Sequence, residues 1–163
     1  MSNFEKVVEF NRVFGVPISN EIQKDIFAQN PRLVELRMKL IREEMKELEE
    51  AVKNHDMTET IDALSDILYV VYGAGASFGI DMDKSFDMVH RSNMTKACPT
   101  EEVANKTVKW YQDNSNDYNS KNPDQAPVDP QIRELNNMYV VYNKTTGKVL
   151  KSVDYEPVNF SSM

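Results

Sequence analysis

The residues with the clearest capacity for chemistry are acids at helical spacing. Glu43, Glu44 and Glu47 sit in a stretch whose apolar residues recur every three or four positions, and Glu44 and Glu47 share one face of the expected helix. Glu44 is the unusual member: Leu40, Ile41 and Leu48 lie on the same stripe and carry its carboxylate toward an apolar interior. A second stretch repeats the arrangement, with Asp62 and Asp66 at i and i+4 and Glu59 one turn earlier.

If both stretches are antiparallel helices turning near His55, Glu44 faces Asp66 and Glu47 lies near Asp62 and Ala63. Carboxylates gathered at one level repel one another or take up protons, and a divalent cation removes the conflict. Hard oxygen donors without a His/Cys cluster favour Mg2+, with Mn2+ as a substitute, over zinc. Magnesium binds a few carboxylates together with substrate phosphates, which points to nucleotide chemistry. The competing reading is a noncatalytic helical interaction module, its acids solvated and paired with Lys39, Arg42 or Lys46.

The elements that must position these acids can be read along the chain. Ser2 is placed to cap a helix reaching about Phe14, with Gly15 as its left-handed exit. Asn30-Pro31 reads as a cap and first-turn proline for a long helix to Val52 or Lys53, whose inward stripe is Leu33, Leu36, Arg37, Leu40, Ile41, Met45, Leu48 and Val52. After the turn at Asn54–Asp56, a strongly apolar helix runs to about Phe78 before Gly79, and a shorter one begins at Asp81 or Asp83 and ends near Asn93. Residues 99–112 form a further helix, Gln112–Pro130 reads as a loop or partly ordered arm, and Met138–Tyr142 and Lys148–Val153 are expected to pair as a hairpin around Asn143–Gly147. The expected fold is therefore all-α, an antiparallel helical bundle over residues 1–98 with an appendage over 99–163 ending in a small β-hairpin.

Composition narrows the function classes. In 163 residues acids outnumber bases 26 to 19, for a net charge of -7, which opposes nucleic-acid coating but allows a small polyanion held through metal. No run of about 18 apolar residues and no charged-then-apolar leader occurs, so no membrane association is expected and the expected location is cytoplasmic. The lone Cys98 has no evident base beside it and reads as an inert thiol, while His55 and His90 fall at a turn tip and near a helix end. Gly73–Ser77 lacks a preceding strand and reads as close helix packing rather than a phosphate loop.

At Glu43–Glu47 and at Asp62–Gly73 the sequence resembles the MazG-like and phosphoribosyl-ATP pyrophosphohydrolase-like families of all-α pyrophosphatases. Val89–Lys96 looks like their next signature, and Gly147–Lys151 followed by Tyr155-Glu-Pro157 looks like their short tail. The resemblance implies a nucleoside-triphosphate pyrophosphohydrolase that releases pyrophosphate and a nucleoside monophosphate, with housecleaning of (deoxy)nucleotides as the expected role and phosphoribosyl-ATP as the alternative substrate. It implies an acid pair on one helix and a Glu-x-x-Asp pair on the next, binding magnesium to the triphosphate. Here the sequence departs: if Asp66 is the aspartate, the glutamate position is Ala63, and Asp62 or Glu59 must compensate; alternatively Glu59 and Asp62 are themselves the pair. On this reading Glu44, Glu47, Asp62 and Asp66 hold metal and Glu43, Glu44 or Glu47 serves catalysis. Asn93 and Lys96 contact phosphate or sugar, Asn11 contacts the base, and the protein is a homodimer or homotetramer.

Overall fold

Helix ends follow local chemistry closely. In α1 (Asn3–Val13) the Ser2 hydroxyl accepts from the Glu5 amide while the Glu5 carboxylate accepts from the Ser2 amide, a reciprocal cap that satisfies two otherwise orphaned donors. A short α2 (Ile26–Gln29) precedes α3 (Pro31–Lys53), which starts with Asn30 Oδ1 accepting from the Leu33 amide and Pro31 in the first turn. Asp56 caps α4 (Met57–Phe78) through the Glu59 amide. That helix stops at Gly79, whose φ of +74° is left-handed and where a Cβ would run into the Glu21 carbonyl. Asp81 then accepts from the Lys84 amide to open α5 (Met82–Met94).

The computed structural model describes residues 1–163. It comprises two compact units, Met1–Phe86 with Ser161–Met163, and Asp87–Phe160. In the first, α3 and α4 form an antiparallel hairpin and α1 packs on α4. Phe4 lies against Tyr72 (6.1 Å between ring centroids) and Phe10 against Tyr69 (5.5 Å), so α1 also runs antiparallel to α4. Gly73, Ala74, Gly75, Ala76 and Ser77 are all buried, the close helix packing expected of that run. Not all of the expected inward stripe of α3 is covered: Leu36, Met45 and Val52 are exposed, because the stripe is wider than the surface that α2 and α4 present to it.

The second unit holds α6 (Glu101–Asp113), α7 (Ser115–Lys121), a 3-10 turn at Pro123–Gln125, and the antiparallel strands β1 (Pro130–Leu135) and β2 (Met138–Asn143). Its core gathers Cys98, Ala104, Tyr111, Val141 and Leu150. One expectation is corrected and another is met in part. Gln112–Pro130 is not a loose arm: it carries α7 and the 3-10 turn, held by Tyr118 donating to Gln125 (2.9 Å) and by Asn119 accepting from the Val128 amide (2.9 Å). The longer hairpin lies on the other side of β2. β2 pairs with β1 through Asn136-Asn137, both at positive φ (51° and 61°), a two-residue turn that asparagine tolerates. The expected pairing is also present over a short stretch: beyond the Asn143–Gly147 turn, Tyr142 bridges Val149 antiparallel, Asn143 donates to the Lys148 carbonyl (2.8 Å) and Leu150 donates to the Val141 carbonyl (2.8 Å).

Candidate functional site

Register within the first unit can be fixed at one point. A Cβ on Gly73 of α4 would lie 3.3 Å from Nη1 of Arg37 on α3, so these residues face each other. Seven residues on, Glu44 is therefore level with Asp66, and Glu47 is level with Ala63, which is buried. The antiparallel geometry brings together the acids of the two helices.

Their electrostatics agree. The carboxyl of Glu44 is raised above the ordinary glutamate value, first by loss of solvation and then by the negative charges of Glu47, Asp66, Glu43 and Asp62. Glu44 Oε2 is sealed from solvent and accepts no hydrogen bond. Glu59 does not contribute to this field. Asp62 and Asp66, rather than Glu59, are thus the α4 acids nearest Glu44 in electrostatic terms. Around it Glu43, Glu47 and Asp62 are exposed and Asp66 is half-buried. Glu43 reaches Lys39 at 3.5 Å in an exposed pair, as the solvated reading would have it. The convergence is one of charge and not of a closed ligand shell, since no three His, Cys, Asp or Glu side chains stand close enough to grip one ion. Mutually repelling carboxylates hold apart in this way; by donor type, Glu44, Glu47, Asp62 and Asp66 offer hard oxygens suited to magnesium or manganese.

Asn11 is buried at 2% exposure on the inner face of α1, and its Nδ2 has no acceptor. Asn93 is exposed in the last turn of α5 and Lys96 is half-buried just beyond it; both belong to the second unit. His55 is exposed at the α3–α4 turn with φ 55°, and His90 is exposed on α5. Cys98 is fully buried beside Thr107 (3.7 Å), the position of an inert thiol. Sequence reasoning passed over Arg37, which is 6% exposed with Nε and Nη2 unpartnered. Its signal was present: a permanently charged residue inside an otherwise apolar stripe.

An all-α hairpin that sets acids of one helix against acids of the next is the MazG-like fold. The family model described as phosphoribosyl-ATP pyrophosphohydrolase matches residues 7–93, more than half of the chain, and the chain belongs to that family. Membership carries a nucleotide pyrophosphohydrolase-type activity. The chain is also similar to the Uncharacterized protein L479 of Acanthamoeba polyphaga mimivirus, at 29% identity over 99% of this chain and 95% of that protein. No single helix is long and apolar enough to cross a membrane.

Proposed function

We propose that the protein is a metal-dependent nucleoside-triphosphate pyrophosphohydrolase, acting on (deoxy)nucleotides. The observation that carries this reading is Glu44: a buried, unpartnered carboxylate oxygen with a raised pKa, in the field of four further acids. Leaving such a group unpaired is costly, and a hard divalent cation between the two helices answers both the orphaned oxygen and the mutual repulsion. Glu44, Glu47, Asp62 and Asp66 would hold Mg2+, or Mn2+ in its place. Bound there, the ion supplies charge neutralisation at the phosphate oxygens and acidity to a water.

The protein's own part is to orient that water and take its proton, a role for Glu43 or for one of the other four acids. The water oxygen bonds to the α-phosphorus, the bond from that phosphorus to the α–β bridging oxygen breaks, and pyrophosphate leaves with the nucleoside monophosphate as the second product. Family membership supports this regiochemistry, and no covalent nucleophile is required. Phosphoribosyl-ATP is the second substrate reading, favoured by the family's description, and it undergoes the same bond cleavage.

Self-association completes the proposal. Met57, Ile61, Leu64 and Leu68 form an exposed apolar stripe on α4, and Met38, Met45 and Val52 form another on α3. A second copy of the chain would cover these faces, giving a homodimer or homotetramer. A monodisperse monomer by light scattering at micromolar concentration would overturn that part. The activity is tested by a magnesium titration over a panel of nucleoside triphosphates and phosphoribosyl-ATP with product identification. Pyrophosphate and monophosphate should appear together and only with a divalent metal. Orthophosphate with diphosphate, or no turnover of any substrate, would overturn it in favour of different chemistry or of an interaction module.

A further inference from the structure

Every buried side-chain nitrogen or oxygen without a hydrogen-bond partner falls on Asn11, Arg37 or Glu44. Native interiors pair nearly all such groups, so three orphaned residues in one small unit call for a common explanation. They lie in sequence along one interior stripe. Val7 of α1 and Arg37 of α3 both approach Gly73 of α4, at 3.9 Å and 3.3 Å from where its Cβ would be. Asn11, one turn beyond Val7 on the antiparallel α1, is level with Tyr69. It therefore sits between the level of Arg37 and that of Glu44 and Asp66. From Glu44 to Arg37 the stripe spans about 10 Å of helix, comparable to the reach of a nucleotide from its α-phosphate to the far edge of its base.

The chemistry changes along the stripe. At one end stands the acid cluster. Beyond it, all the orphaned atoms are donors: the amide Nδ2 of Asn11 and the Nε/Nη2 edge of Arg37, two parallel N–H groups in a fixed fork. The guanidinium carries no ion pair, and burial lowers its pKa with no compensating charge beside it. Beside the guanidinium, Val7 and Gly73 are apolar. A flat ring with acceptors on its rim suits such a place; a phosphate, whose hydration shell would have to be replaced by one cation and one amide, does not.

We propose that Asn11 and Arg37 form a nucleobase subsite that selects a base edge bearing two adjacent acceptors, guanine O6/N7 or cytosine O2/N3. Adenine has no such edge and uracil places an N–H between its carbonyls, so each leaves the fork unpaired. The proposal rests on the nucleotide reading of the acid cluster but is tested by binding, apart from turnover.

The experiment is calorimetric titration of the full chain in magnesium buffer with dGMP, dCMP, dAMP, dUMP and inorganic pyrophosphate, for wild type, Arg37→Met, Arg37→Lys and Asn11→Leu. Wild type should bind dGMP or dCMP at least about tenfold tighter than dAMP and dUMP. Arg37→Met should abolish that preference, leave pyrophosphate binding unchanged, and unfold without nucleotide at the wild-type temperature or above, because an unpaired buried charge has been removed. Should the methionine variant not fold, Arg37→Lys keeps the charge, breaks the fork, and should lose the same preference. Absence of base discrimination in wild type overturns the proposal. So does an equal loss of pyrophosphate and monophosphate binding, which would mark a phosphate site, or a destabilised Arg37→Met with its preference intact, which would mark a structural arginine. Selective monophosphate binding by a protein that hydrolyses no triphosphate would sink the pyrophosphohydrolase reading and leave this subsite standing.

Discussion

The two units differ in how completely they pair their buried polar groups. In the second, the fully buried Asn143 accepts from the Asp129 and Thr145 amides (3.0 and 3.1 Å) and donates to the Gln125 carbonyl (2.8 Å). Thr107 donates to the Val103 carbonyl (2.8 Å) and accepts from the Val153 amide (3.1 Å), and the Tyr111 hydroxyl exchanges bonds with both backbone groups of Lys151. In the first unit Asn11 and Arg37 are buried and Glu44 is half-buried, each with a sealed polar atom left unpaired, and long apolar stripes face outward. One interior is complete in itself. The other leaves hydrogen-bonding capacity unmet at these three residues.

This contrast can be broken first where it is strongest. Asn143→Ala takes the side-chain partner from two backbone amides and a carbonyl, and should lower stability by about 3 kcal/mol in urea unfolding. A loss under about 1 kcal/mol would show that the second unit is not held by this network. Glu44→Gln makes the opposite test in the first unit. With chelator present its unfolding temperature should stay level or rise as repulsion is relieved, while pyrophosphate release falls at least about tenfold, or roughly 1.4 kcal/mol of barrier. Near-normal turnover at every magnesium concentration would remove Glu44 from the site. The same result for Glu47→Gln and Asp66→Asn would remove the carboxylate cluster as a whole. The paired change Ile61→Ser and Leu64→Ser takes apolar area from the exposed α4 stripe and should weaken self-association by about tenfold in sedimentation equilibrium. Unchanged assembly would place the contact on another face.

The first unit was the more legible from sequence, for a physical reason. Its caps, Ser2, Asn30 and Asp56, and its stop at Gly79 are local signals, and the apolar period of α3 and α4 extends over many turns. Once the turn at His55 was placed, the opposition of Glu44 and Asp66 followed from helix geometry. Ala63 and the rivalry between Glu59 and Asp62 were not decidable from spacing, because a shift of one turn changes the partner while preserving the pattern; the charges that raise the Glu44 pKa include Asp62 and not Glu59. In the second unit the turn at Asn143–Gly147 was legible and brings Tyr142 to Val149, but the longer pairing of β2 through the Asn136-Asn137 turn was missed. Finding it requires knowing that Pro130–Leu135 supplies the partner strand, a nonlocal fact. Arg37 was hidden for a related reason: periodicity counts positions on a face, and a charge that conforms to the period passes for one more stripe residue.

The smallest expected effect is a difference in how stability responds to pH. Glu44 in the folded protein holds its proton more tightly than the reference glutamate at 4.5, so in the acid range the native state binds more protons than the unfolded state. Its contribution is fully present below that reference value and is lost as pH rises through the folded pKa; without metal, stability should decline gently across that window. Glu102 behaves in the opposite sense. Its hydrogen bond and 2.7 Å ion pair with Lys106 lower its pKa, so its contribution is present above the reference value and lost as pH falls through the folded pKa. The causes differ as well: desolvation leads at Glu44, whereas the Glu102 pair is exposed and screened by salt. Thermal unfolding with chelator, over a pH series at low and high ionic strength, can separate the two. Glu44→Gln should abolish the decline at both salt concentrations, and Glu102→Gln should alter the profile only at low salt. Saturating magnesium should also remove the decline in wild type, because a cation on the carboxylate opposes protonation. A decline that survives Glu44→Gln would assign the unfavourable field to a different carboxylate and separate the raised pKa of Glu44 from the stability of the first unit.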